Sequence, residues 1–179
     1  NDHISFIFGS LHLPERHCSS NLDMSAIYGQ DHILRELDSE LTKNRLSHAY
    51  LLVGAPHIGK MSLAIYFAQS INCLNGANSY PCQNCNPCIR ISNAQHPDVR
   101  IETLGQMKDD PNRTGMYITI DQVRDVTYNI HLTPYESSHK IIIFDRAELL
   151  HGPSANALLL TLEEPPANVI FFLLTDRED

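Results

Sequence analysis

Ala49-Tyr-Leu-Leu-Val53 runs directly into Gly54-Ala-Pro-His-Ile-Gly59-Lys60, and this junction decides the fold. The first five residues are a short apolar run, which reads as a buried parallel strand. The next seven fit G-x-x-x-x-G-K, a loop that cradles phosphate when it follows a strand and opens a helix. Residues 61–71 supply that helix, with Leu63, Ala64, Phe67 and Ala68 at inward spacing. Glycines let backbone N–H groups curl around phosphate oxygens, the helix N-terminus adds its positive end, and the lysine reaches the outer phosphates. The candidate nucleotide contacts are therefore Gly54, His57, Ile58, Gly59 and Lys60, with Met61 and Ser62 opening the helix. A plain strand–turn–helix without a ligand is the alternative reading.

Outward from the loop, the same alternation continues. A helix is predicted from Asp31, with Asp31 as cap and Ile33, Leu34, Leu37 and Leu41 in one stripe. Val99–Glu102, Lys140–Phe144 and residues 169–174 read as strands. Residues 121–130, capped by Asp121 and carrying Val123, Val126 and Ile130 on one face, read as a helix, as do residues 154–163. Residues 105–115, with Asp109, Asp110, Pro111 and Asn112, read as a mobile loop. Strands alternating with helices predict an α/β fold: a parallel sheet with helices on both faces. Residues 1–23 show no sustained periodicity and carry Gly9 and Pro14, so they are expected to be an extension outside a domain at 24–179. The chain stops directly after a predicted strand, and further domains are expected downstream.

A second element bears on the phosphate loop. Ile141-Ile-Ile-Phe-Asp145 is an apolar strand ending in an acid, and Asp145 is placed to hold Mg²⁺ through water. A turn residue at a strand end is the alternative. Two departures stand out. The residue after Lys60 is ordinarily Ser or Thr, a hard oxygen ligand for Mg²⁺; here it is Met61, whose thioether is soft. Ser62 points about 100° further round the helix and is not expected to substitute. After Asp145, hydrolysing sites carry an acid that orients water; here stands Arg146, and Glu148 is expected to face elsewhere. The site should therefore cradle ATP or ADP with weakened Mg²⁺ and hydrolyse at a negligible rate.

Behind the loop come Cys73, Cys82, Cys85 and Cys88, spaced C-x8-C-x2-C-x2-C. Four thiolates satisfy the tetrahedral preference of Zn²⁺ and leave no open position, so the expected role is structural. An iron–sulfur cluster is weakened by the lack of a further cysteine after Cys88. Buried free thiols, or disulfides in a secreted protein, would also account for the four residues. Cys18 is read as uninvolved. Metal-spaced cysteines without a secretion signal point to a reducing cytoplasm.

At 179 residues, 42% of them hydrophobic, the chain has the length of about one domain with a full core. Its net charge of −8 argues against gripping nucleic acid unaided. No apolar run reaches membrane-spanning length.

Read in order, the motifs resemble a known family. They are Ile27-Tyr-Gly-Gln30, Ser47-His-Ala-Tyr50, the glycine loop, the four-cysteine insert, His96-Pro-Asp98, the acid-ended strand, Ala155-Asn-Ala-Leu-Leu159 and Leu162-Glu-Glu-Pro-Pro166. Residues 25–179 resemble the N-terminal AAA+ domain, a P-loop NTPase fold with a small zinc-binding insert, of bacterial DNA polymerase III clamp-loader subunits. Met61, Arg146, Glu148 and Ile120-Asp-Gln-Val-Arg124 look more like the delta-prime type than the ATP-hydrolysing gamma/tau type. The resemblance implies a pentamer with gamma/tau and delta subunits that opens the sliding clamp and places it on primed DNA, with no membrane involved. It implies a stator role and an arginine finger in a Ser-Arg-Cys motif beyond Asp179. An active gamma/tau-type ATPase is the first alternative. A P-loop kinase with a zinc-stabilised lid is the second, but such a lid needs phosphate-clamping arginines near the cysteines, and only Arg90 is close. Leu162–Pro166 also has a plain architectural reading, a helix stopped by two prolines.

Overall fold

A computed structural model describes residues 4–8, 31–43, 45–75, 81–104, 106–107, 110–114 and 116–177. The elements in chain order are β1 (Ile4–Phe8), α1 (Asp31–Thr42), β2 (Ala49–Val53), α2 (Lys60–Asn72), α3 (Asn86–Ser92), β3 (Val99–Glu102), β4 (Gln106–Met107), β5 (Asp110–Thr114), α4 (Ile120–Ile130), β6 (Lys140–Phe144), a one-turn 3-10 helix (Ala147–Leu149), α5 (Gly152–Glu163) and β7 (Val169–Thr175). Five strands form one parallel sheet in the order β1-β2-β7-β6-β3.

The apolar runs are buried on both sides because alternate residues feed two different cores. Tyr50 and Leu52 of β2, Ile141 and Ile143 of β6, and Ile170, Phe172 and Leu174 of β7 face one layer. That layer is made by Ile33, Leu34 and Leu37 of α1, Leu63, Ala64, Phe67 and Ala68 of α2, and Ile91 of α3. Ala49, Ile142, Phe144, Val169 and Phe171 face the opposite layer, where Val123, Val126 and Ile130 of α4 meet Leu158 and Leu162 of α5. Tyr50, Phe67 and Phe172 form an aromatic triangle at the heart of the first core, with centroids 5.1 to 5.5 Å apart. Tyr50 keeps its polar tip satisfied there, donating to Glu40 Oε2 at 2.5 Å and accepting from the Ser47 N–H at 3.0 Å. The α/β architecture with helices on both faces is thus the one the sequence predicts.

Three features depart from expectation. The sequence reading placed no element in residues 1–23, yet β1 lies there and pairs in parallel with β2, residue 6 opposite residue 51. An edge strand offers unpaired N–H and C=O groups, and a five-residue run suffices to occupy them. Residues 105–115, expected as a mobile loop, contain the antiparallel ribbon β4–β5. The cap of α4 is Thr119, not Asp121. Its hydroxyl accepts from the Gln122 N–H at 3.4 Å, and the Gln122 side chain accepts from the Thr119 N–H at 3.0 Å. This T-x-x-Q capping box satisfies two otherwise orphaned donors at once. The cap expected at Asp31 rests on a side chain outside the described ones.

His96-Pro-Asp98 has an architectural use. The Asp98 carboxylate accepts the backbone N–H groups of Tyr135, Glu136 and Ser137 at 2.7, 2.9 and 3.0 Å, pinning the turn that leads into β6. His96 is buried beside it and accepts the Asp98 N–H at Nδ1. Its other nitrogen lies 3.2 Å from Glu136, which also pairs with Arg90 of α3. Burial pushes the His96 imidazole below its usual pKa, against the opposing pull of Glu136 and Asp98.

Candidate functional site

The strand order brings the carboxyl ends of β2, β7 and β6 into one row. Side chains leaving those three ends must converge, which is where parallel α/β sheets bind ligands. The glycine loop, residues 54–60, follows β2; Asp145 follows β6; Thr175 closes β7. Between them lies a cavity of about 620 Å³, within the range of small-molecule sites. Its wall includes Pro56, His57, Gly59, Lys60, Met61 and Ser62 from the loop and α2. Across from these stand Asp145, Arg146, Glu148, Thr175 and Asp176.

The loop leaves the start of α2 open. Gly59 caps that helix in the left-handed region, φ 92°, and no side chain caps its first turn. The opening N–H groups of α2 are therefore uncommitted to a cap and available to an anion. At Gly54 an added Cβ would lie 2.2 Å from Ile58 Cδ1, the mobile end of a side chain that would have to swing aside. His57 and Arg146, neither a glycine, both adopt left-handed backbone at φ 65° and 62°. Strain of this kind collects at functional sites. Lys60 turns its ammonium back onto the loop, donating to the carbonyls of Gly54 at 2.5 Å and Ala55 at 2.9 Å.

The geometry brings together most of the residues singled out in the sequence. Gly59, Lys60, Met61, Ser62, His57 and Asp145 all line one cavity; Gly54 and Ile58 shape the loop behind it. Ser62 lines the wall beside Met61, while Met61 also packs on the first core. Glu148 corrects an expectation. It does not face elsewhere: it lines the cavity, with its side chain 8% exposed and Oε1 3.6 Å from Arg146 Nε. The left-handed Arg146 reverses the chain immediately after β6, and that reversal turns Glu148 inward. Thr175 and Asp176 were missed too. Their signal was positional: a polar pair at the carboxyl end of the strand between β2 and β6, visible only once strand order is known.

The four cysteines form a second site. Their sulfurs all lie within 4.8 Å of one another, and Cys73 Sγ is 3.9 Å from Cys85 Sγ. Tetrahedral zinc with bonds near 2.3 Å sets its sulfurs about 3.8 Å apart, so the set fits the group. Gln83, at φ 57°, folds the chain into a knuckle. There the Cys85 N–H donates to Cys82 Sγ at 3.3 Å, and the Cys82 N–H donates to Cys73 Sγ at 3.3 Å. The backbone N–H groups of Asn84 and Cys85 hold the Cys82 thiol down to about 6. Burial instead pushes the Cys73 and Cys88 thiols up. Cys73 is the C-cap of α2 and Cys85 the N-cap of α3, so two helix ends frame the site. Gln69 of α2 locks the frame, donating from Nε2 to Cys88 O at 2.8 Å and Ser92 Oγ at 2.7 Å. Cys18 lies outside the described residues.

Residues 29–179 match the model of the family described as DNA polymerase III, delta subunit. The chain belongs to this family. Among curated relatives it is 38% identical over 153 residues to DNA polymerase III subunit gamma of Buchnera aphidicola from Acyrthosiphon pisum, covering 86% of this chain and 40% of that one. It is 36% identical over 149 residues to subunit tau of Bacillus subtilis, covering 83% and 25%. It is 32% identical over 148 residues to subunit delta' of the same organism, covering 83% and 42%. The chain thus spans less than half the length of these relatives. Likeness to tau and to delta' differs by too little to separate them. Among the described residues no helix is long and apolar enough to cross a membrane.

Proposed function

We propose that this chain is the AAA+ domain of a clamp-loader subunit of the delta-prime type, a stator whose nucleotide site is degenerate. In this role it would pack against gamma/tau and delta subunits in the cytoplasm, and the assembly, not this domain, would meet the sliding clamp and primed DNA. The observation that carries the reading is that Met61 and Arg146 line the same cavity. The first removes the inner Mg²⁺ ligand, and the second removes the acid that orients the attacking water. The intact glycine loop and Lys60 support retained, Mg²⁺-poor binding of ATP or ADP through Gly54, His57, Ile58, Gly59 and Lys60. The cysteine set supports one structural zinc held by Cys73, Cys82, Cys85 and Cys88; four thiolates leave it no open position.

A gamma/tau-type ATPase is the second reading, favoured by the 38% identity to a gamma subunit. Reconstituted clamp loading with the full-length subunit separates the two. Under the stator reading, Lys60→Ala leaves loading on primed DNA intact while omission of the subunit abolishes it. Loss of loading in Lys60→Ala, with assembly preserved, would favour the ATPase. A subunit that neither assembles nor supports loading would defeat both.

A further inference from the structure

One titratable side chain is wholly enclosed where α3, β3 and the turn before β6 meet. The His96 side chain is 0% exposed. Its two nitrogens have different partners. Nδ1 accepts the Asp98 N–H at 3.2 Å, so that nitrogen is bare and the ring proton sits on Nε2. Nε2 reaches Glu136 Oε1 at 3.2 Å and Ser137 Oγ at 3.5 Å. The neutral ring is thereby fixed in one tautomer.

Asp98 carries that constraint onward. The His96 ring holds the Asp98 N–H, and the Asp98 carboxylate holds the N–H groups of Tyr135, Glu136 and Ser137. A second proton on the ring would set an N–H at Nδ1 against the Asp98 N–H, donor against donor. It would also place a charge where water does not reach. The surrounding charges are divided. Burial, the largest effect, opposes the imidazolium; Glu136 and Asp98 favour it; Arg90 of α3 opposes it. The ring gains water by swinging out, which lets go of Asp98 and loosens the three turn N–H groups. β6 is held separately, through five residues paired with β7.

We propose that His96 is a proton-operated latch: neutral, it holds the turn at residues 135–137 closed through Asp98; protonated, it releases that turn while the sheet stays paired. Burial sets the direction. A histidine held below its usual pKa in the fold stabilises above about pH 6.5 and loses that contribution as pH falls through the lower folded value. The Asp98 carboxyl is itself held low, so its own protonation comes later, below about pH 4.

The test is amide hydrogen exchange in the zinc-loaded full chain, corrected for intrinsic rates, alongside an NMR titration of the His96 ring. Protection at Tyr135, Glu136 and Ser137 should fall about tenfold between pH 7 and about pH 5.5, with the midpoint of the ring titration and with the amides of β6 still protected. His96→Asn should hold the turn over the whole range, because an Asn side chain accepts the N–H two residues on and does not titrate. Turn protection lost equally in His96→Asn would overturn the latch and point to another group, or to zinc release, which metal content at each pH would show. Should His96→Asn fail to fold, the unmodified chain still decides. A ring that titrates without any change at residues 135–137, or one still neutral at about pH 4, would overturn the proposal.

Discussion

Lys60 and Cys73 stand at the two ends of one helix: Lys60 opens α2 and Cys73 caps its C-terminus. At about 1.5 Å per residue this rod is roughly 20 Å long, with the phosphate loop at one end and the cysteine site at the other. Between them Leu63, Ala64, Phe67 and Ala68 fix the helix to the sheet. The cysteine site therefore anchors an element whose position is already set by core packing.

Elemental analysis should return about one zinc per chain. Cys82→Ser should abolish zinc retention and lower the unfolding temperature while far-UV circular dichroism stays close to that of the parent, because both cores are built largely from residues outside the module. Iron with visible absorption, or a metal-free protein of unchanged stability, would contradict the assignment.

Gln69→Ala should cost about 1–3 kcal/mol, since it strips two hydrogen bonds and leaves the buried Cys88 carbonyl without its donor. Denaturant titration checks this. An unchanged midpoint would mean that α2 and α3 are held together by apolar packing alone.

Asp98 sets a pH dependence. Burial opposes its ionisation, but the N–H groups of Tyr135, Glu136 and Ser137 outweigh it and hold the carboxyl below the ordinary range. A group depressed in the folded state stabilises above its unfolded pKa of about 3.9 and loses that contribution as pH falls through the lower folded value. Asp98→Asn should therefore be less stable than the parent by about 1–3 kcal/mol at pH 7, with the gap narrowing below about pH 4. A gap independent of pH would remove Asp98 as the cause.

Much of this was legible from residue order. Short β-branched apolar runs such as Ile141–Phe144 favour strands buried on both faces, and the glycine loop announces its own context, so the strands of the main sheet from β2 onward fell where expected. The cysteine set was legible because spacing encodes proximity. What escaped depended on three-dimensional facts with no local signature. Glu148 turns inward because Arg146 adopts φ 62°, a choice that Arg does not advertise. Thr175 joins the cavity because β7 lies between β2 and β6, although it comes last in the chain. The Thr119–Gln122 capping box was written in the sequence, but Asp121 offered a competing cap.

Gly59→Ala should strain the loop. Nothing lies within 4 Å of the added methyl, so the cost is backbone alone, about 1–2 kcal/mol for a left-handed residue. Relaxing that φ would re-aim the first N–H groups of α2, so ADP binding should weaken more than stability does. Equal affinity in calorimetry would show that these donors do not hold the ligand.

The most direct test of a degenerate site is steady-state ATP hydrolysis by the chain on its own. Under the proposed reading Met61 and Arg146 stand in for the metal ligand and the water-orienting acid, so turnover should be indistinguishable from that of Lys60→Ala. Robust turnover that disappears in Lys60→Ala would contradict the account and make this family member an active ATPase.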